Sequence, residues 1–249
     1  MSKIQLKDSV ALVTGANRGI GRAYVEALVQ AGARKVYATA RKVESVQNLV
    51  AAYPGVVEGL SLDISDPAQI QAAALKATDV TVLINNAGVA NGGYLFGEAG
   101  ASDMRKDVEV NLFGTTDMIR AFAPVLEVNG GGAMVILNSA VSLVNFPIFG
   151  GYSASKAALH SVTQGVRAAL EPKGILVTGV YPGPIDTDMA DAVDLPKEPP
   201  SVVAEATLAA LANGEEEVFP DAMAKEVAKN FKADWKALEK SMAGSPVAA

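Results

Sequence analysis

Short, β-branched apolar runs recur along this chain with longer helix-patterned segments between them, and that alternation restricts the fold more than any other property. Runs at 10–14, 35–39, 56–62, 80–85, 133–138, 175–181 and 217–219 read as strands. Segments at 20–32, 43–52, 67–77, 101–128, 152–171, 201–213 and 223–242 read as helices. The strand runs are apolar throughout rather than alternating, so both faces of their sheet must be covered. Repeated βα units of this kind imply an α/β fold, a doubly wound parallel sheet of about seven strands flanked by helices on both faces. At 249 residues the chain can bury a sizeable core. No repeat of solenoid period and no long linker divides it. A single domain over 1–249 is the economical reading, closed by a helix at about 222–242.

Composition removes several function classes. With no cysteine, thiolate catalysis, disulfides and cysteine-ligated metal are excluded, and one histidine, His160, rules out a multi-histidine metal site. A net charge of −6 argues against a general nucleic-acid surface. No apolar run approaches the ~20 residues of a membrane span. The first ten residues lack the apolar core of a signal peptide, so a soluble cytoplasmic protein is expected.

Thr-Gly-Ala-Asn-Arg-Gly-Ile-Gly at 14–21 lies between the first strand and the first helix. Gly15, Gly19 and Gly21 permit a tight turn and close approach of backbone to a ligand. Amides at the start of a helix favour an anion, and a phosphate suits the place. The spacing differs from the commoner Gly-x-Gly-x-x-Gly, but the position between strand and helix makes a Rossmann-type nucleotide site the better reading. In such a fold an acid ~20 residues on holds the adenosine ribose, whereas an arginine there accommodates a 2′-phosphate. Here the second strand runs into Thr39-Ala40-Arg41-Lys42 without a carboxylate, and Arg18 stands in the glycine loop. That pattern points to NADP(H) rather than NAD.

Tyr152-Ser153-Ala154-Ser155-Lys156 is the second informative stretch. If it opens a helix, the tyrosine and lysine stand one turn apart on one face. A phenol titrates near ~10, and an adjacent ammonium can lower that by ~1–3 units, into the range where the phenol serves as general acid and base. Taken alone, the pattern reads first as a helix start with an exposed lysine, and the other motifs of the chain reverse that reading.

These motifs, in their order, resemble the short-chain dehydrogenase/reductase family in its single-domain branch, over about 7–189. They comprise the glycine loop, Leu62-Asp63, Asn85-Asn86-Ala87-Gly88, Asn111 in Val-Asn-Leu-Phe-Gly, Ser139 ahead of Tyr152, the Tyr152–Lys156 pair and Pro182-Gly183. The resemblance implies that Tyr152 protonates a substrate carbonyl, with Lys156 lowering its pKa and holding the nicotinamide ribose. It also implies that Ser139 hydrogen-bonds the carbonyl oxygen and that Asn111 anchors a water relay behind the lysine. Cofactor contacts would come from Gly15, Asn17, Arg18, Gly19, Ile20, Gly21 and Arg41 on one side. Asp63 (at the adenine), Ile64, the Asn86, Ala87 and Gly88 turn, Pro182, Gly183, Ile185 and Thr187 would supply the rest. From the residues themselves, Ser139 is equally a strand-end cap, Asn111 a side chain satisfying backbone groups inside a long helix, and Asp63 equally a turn residue. The C-terminal third departs from the family, without the glycine-glycine ending many tetrameric members use.

The expected reaction is hydride transfer between NADPH and a hydrophobic ketone, aldehyde or secondary alcohol. The alternative is an NADP-binding regulatory protein on the same fold without turnover. A lid at about 183–200 is short, implying an open pocket. Its walls would be apolar: Val141, Phe146 and Met189 foremost, with Tyr94, Leu95, Phe96, Leu143, Phe149 and Tyr181 as further candidates. Family members often pair through the helices at about 101–128 and 152–171, so a homodimer or homotetramer is expected.

Overall fold

The computed structural model describes residues 3–191 and 194–243. Seven strands form one parallel sheet: β1 (Val10–Val13), β2 (Lys35–Ala40), β3 (Val57–Ser61), β4 (Val82–Asn85), β5 (Gly132–Leu137), β6 (Ile175–Val180) and β7 (Glu217–Val218). Their order is β3-β2-β1-β4-β5-β6-β7, and every pairing is parallel. The order reverses between β1 and β4, which opens a crevice at the carboxyl ends of those two strands.

Because side chains alternate along a strand, one apolar run feeds two cores. Ala11 and Val13 pack on one face with α1 (Gly19–Gln30), α2 (Gln47–Ala52) and α7 (Pro200–Asn213). Val10 and Leu12 face the other way, onto α3 (Pro67–Lys76), α5 (Thr115–Val128) and α6 (Gly150–Leu170). The doubly wound architecture read from the alternation is the one observed. A third, smaller cluster joins Ala140 and Val144 to Val227, Leu238 and Met242 of α8 (Ala222–Ala243).

Three helix-patterned segments differ in the structure, the first being 43–52, a 3-10 stretch (Val43–Val46) followed by the short α2. The segment at 101–128 is not one helix but α4 (Gly100–Asp107), a π-helical stretch from Val108 to Gly114, and then α5. Helix α8 is broken at Asp234, whose backbone is extended (φ −159°, ψ 90°) and whose Oδ1 accepts from the Ala237 amide at 3.0 Å. That carboxylate caps the second half of α8, whose Leu238 and Met242 pack in the cluster with Ala140 and Val144. Of the lid, residues 192 and 193 lie outside the described residues, as do 1, 2 and 244–249 of the chain. Among the described residues no helix is long and apolar enough to cross a membrane.

Candidate active site

The crevice at the sheet's switch point is stitched together by backbone and two polar side chains. Thr14 Oγ1, at the end of β1, accepts from the Asn86 and Ala87 amides at 2.9 Å each. Asn86 Nδ2 returns the contact to the Thr14 and Gly15 carbonyls at 2.8 and 3.2 Å. These bonds hold the glycine loop against the turn after β4. Gly15 has φ +65°, and a Cβ on Gly21 would lie 2.1 Å from the Gly15 carbonyl oxygen. Only glycine permits that fold of the loop.

A cleft of about 1010 Å³ runs from this loop across the carboxyl ends of the strands. Every anticipated cofactor-contact residue except Lys156 lines it, as do Ser139, Val141, Phe146, Phe149, Tyr152 and Met189 on the substrate side. Lys156 and Asn111, both buried, lie behind its wall. Arg41 and Lys42 line the far end, past β2, with no carboxylate between them and β2. Arg18 lines the cleft too, but its guanidinium pairs with Asp188 in the lid. Asp63 Oδ1 accepts from the Ser65 amide and hydroxyl at 2.9 and 2.7 Å, so it is a turn residue as well as a cleft residue.

The candidate proton-transfer group is built from three elements. Ser139 lies two residues beyond β5 and caps the short turn Ala140–Ser142; its hydroxyl donates to the Pro182 carbonyl at 3.3 Å and accepts from the Val141 amide at 3.4 Å. Tyr152 stands in the first turn of α6, half-buried at the cleft. Lys156, one turn on, donates to the Leu137 carbonyl at 2.6 Å. Asn111, within the π-helical stretch, reaches across. Its Oδ1 accepts from the Val89 amide at 2.8 Å, and its Nδ2 donates to the Val89 carbonyl at 2.8 Å and to Ser155 Oγ at 3.0 Å. Asn111 therefore ties the loop after β4 to α6, and a π-bulge at such a junction is a recurrent feature of functional sites.

The electrostatics correct one expectation. Burial pushes the Tyr152 phenol up to about 12, more than a hydrogen bond with Ser139 pulls it down, and Asp107 adds to the rise. Lys156 does not offset this, because its ammonium sits 5.8 Å from the centre of the phenol ring and is committed to the Leu137 carbonyl. Burial also pulls Lys156 down to about 8, with Asp107 opposing. Desolvation, which penalises both charged forms, outweighs the attraction inferred from spacing alone.

Several candidate walls are elsewhere. Phe96 is fully exposed, and Tyr94 and Leu95 are partly exposed outside the cleft. Tyr181 is fully buried: its ring stacks on Phe219 and its hydroxyl meets His160 Nδ1 at 2.8 Å, which also gives His160 its place. Leu143 packs in the small cluster beside α8. In their stead the cleft takes Met223, Met242 and Leu195, which sequence reasoning missed. Met242 lines the cleft from beyond the break in α8 at Asp234, and no motif announces that break.

A family model described as short chain dehydrogenase matches residues 9–198. Two curated relatives are each 32% identical to this chain. One is dehydrogenase/reductase SDR family member 7B of Mus musculus, over 76% of this chain but 61% of that protein. The other is a 3-alpha-(or 20-beta)-hydroxysteroid dehydrogenase of Mycobacterium bovis, over 76% of this chain and 74% of that protein. Among solved structures, a short chain dehydrogenase from Burkholderia cenocepacia in complex with NADP superposes with a TM-score of 0.91 at 42% identity, covering 98% of this chain and 100% of the other. A short chain dehydrogenase/reductase from Burkholderia phymatum in complex with NAD gives 0.85 at 26% identity, covering 98% and 99%.

Proposed function

The chain belongs to the short-chain dehydrogenase/reductase family, and from that premise we propose that it is an NADPH-dependent carbonyl reductase, reversible as an alcohol dehydrogenase, folded as a single domain. One observation carries this reading most: Ser139 and Tyr152 line the same cleft as the glycine loop and the residues Pro182, Gly183, Ile185 and Thr187. The donor set suits the cofactor. The glycine loop offers backbone amides to a pyrophosphate, and Arg41 and Arg18 offer cations to a 2′-phosphate. The nicotinamide, when bound, supplies the hydride.

The chain's own residues do the rest. Tyr152 presents a phenol whose proton passes to the carbonyl oxygen as negative charge develops there, and Ser139 turns its hydroxyl from the Pro182 carbonyl to the same oxygen. Donors aimed at a developing oxyanion are worth ~2.7–4 kcal/mol each in barrier height. Lys156 brings positive charge behind the tyrosine, and Asn111 fixes the loop beside it. The far wall, with Met189, Met223 and Met242, suits a bulky apolar substrate, since methionine adapts to irregular shapes. The hydroxysteroid dehydrogenase relative acts on a substrate of that kind. The protein works as a cytoplasmic homodimer or homotetramer, with exposed Phe113 among the residues on the helices that pair.

The test is a panel of aliphatic, aromatic and steroid ketones, followed by loss of NADPH absorbance and repeated with NADH. Turnover of the apolar ketones, faster with NADPH, is the expected result. Tight NADPH binding with no turnover of any carbonyl compound would replace this reading with that of a cofactor-sensing protein.

A further inference from the structure

Three charged side chains are buried among the described residues: Asp107, Lys156 and Asp221. Lys156 belongs to the proton-transfer group. Asp221 has both oxygens engaged, by the Gly183 amide at 2.7 Å and the Ala224 amide at 2.8 Å. Asp107 is the one without an assignment. Its Oδ1 accepts from the Asn91 amide at 3.0 Å and from Asn91 Nδ2 at 2.9 Å, while its Oδ2 has no hydrogen-bond partner.

The place of that free oxygen is defined by a glycine. A Cβ on Gly151 would lie 3.3 Å from Asp107 Oδ2 and 2.8 Å from Met104 Cα. The carboxylate is therefore packed on the first turn of α6, at the residue preceding Tyr152. The unpaired amides of a helix start make that a tolerable position for a negative charge. Asp107 also lies one turn before Asn111, and the two side chains grip the same extended loop two residues apart, at Asn91 and Val89. From α4, Asp103 faces Asp107 and is itself paired with Lys106. From α6, Lys156 and Tyr152 face it, and from the loop only the neutral Asn91. Lys156 is the one cation among these groups that acts on it.

A buried ammonium whose hydrogen bond goes to a neutral carbonyl is unfavourable unless a counter-charge is close. We propose that Asp107 is a positioning residue for the Tyr152–Lys156 pair, its buried carboxylate acting as the internal counter-charge that keeps the lysine an ammonium and the tyrosine a phenol. Those are the protonation states from which a carbonyl reduction starts, so this proposal rests on Tyr152 being the proton donor. The electrostatic directions agree. Asp107 raises both Lys156 and Tyr152, and Lys156 in turn lowers Asp107 against the rise that burial imposes.

Asp107→Asn keeps the shape and the acceptor for Asn91 but removes the charge. The pH profile of kcat/KM for alcohol oxidation should shift its phenolate limb to lower pH by ~1 unit or more. In the protein without substrate, NMR of labelled lysine should show Lys156 losing its proton at lower pH than in wild type. Asp107→Glu should return both readings towards wild type. An equal fall in rate at every pH, with the limb and the Lys156 titration unmoved, would make Asp107 merely structural and overturn the proposal. If wild type turns over no carbonyl compound, the reading of Tyr152 fails, and the Lys156 titration still decides the role of Asp107. Lys156→Met gives a reading that does not depend on Asp107→Asn folding: without its cation, the Asp107 carboxyl should titrate at higher pH, and an unchanged value would count against the proposal.

Discussion

The two ends of the cleft are built by different means. At the cofactor end the shape is made of backbone: the Gly15 and Gly21 turn, the Thr14 and Asn86 bonds, and the close approach of the chain to itself. At the substrate end it is made of flexible side chains delivered from far apart, Met189 from the lid and Met223 and Met242 from the two ends of α8. A wall of backbone admits little variation and fixes what binds. A wall of methionines tolerates change and sets only size and polarity.

Substitutions at the two ends should therefore differ in scale. Gly21→Ala places a Cβ 2.1 Å from a backbone oxygen that cannot yield without moving the loop. NADPH affinity, by fluorescence titration, should fall ~100-fold, or ~2.8 kcal/mol; near-normal binding would mean that the loop is not held by backbone packing. Behind the cleft, the buried Lys156 makes stability depend on pH. Its folded value of about 8 lies below the unfolded ~10.4, so between those values the unfolded chain binds more protons and stability from this group rises with pH. Relative to Lys156→Met in urea, wild type should gain up to ~3 kcal/mol between pH 8 and 10.5, and a constant difference would show that the ammonium is not desolvated. Arg41→Ala should reduce the preference for NADPH over NADH by ~10-fold, a typical loss for one charge-assisted contact. The smallest effect belongs to the methionines. Met242→Ala should raise KM for bulky ketones ~3- to 10-fold, by the scale of a few methylenes, and leave NADPH affinity unchanged. A matching loss of NADPH affinity would erase the distinction between the ends.

The same contrast explains what could be read from the sequence. The sheet was legible because its central strands, such as the Val10–Val13 run, are apolar on both faces, and the glycine loop because its residues are dictated by backbone conformation. The tyrosine and lysine were legible as a pair one turn apart. Their electrostatics were not, since spacing does not reveal that Lys156 bonds the Leu137 carbonyl or that Asp107 lies close by. Tyr181 was among the apolar residues expected to wall the pocket, but Gly179 leaves room for its ring to fold inward. Met242 was invisible because its place depends on the break at Asp234, a backbone event with no local signature in composition. The π-helical stretch around Asn111 was equally hidden within a helix-patterned segment.

Tyr152→Phe tests the proton-donor claim most directly, because it removes one hydroxyl from the cleft wall and leaves the glycine loop untouched. NADPH should bind within about twofold of wild type while ketone-dependent oxidation of NADPH falls ~100- to 1000-fold, the scale of one lost oxyanion donor. Turnover within about threefold of wild type would show that the proton comes from another group and that the tyrosine is only part of the wall.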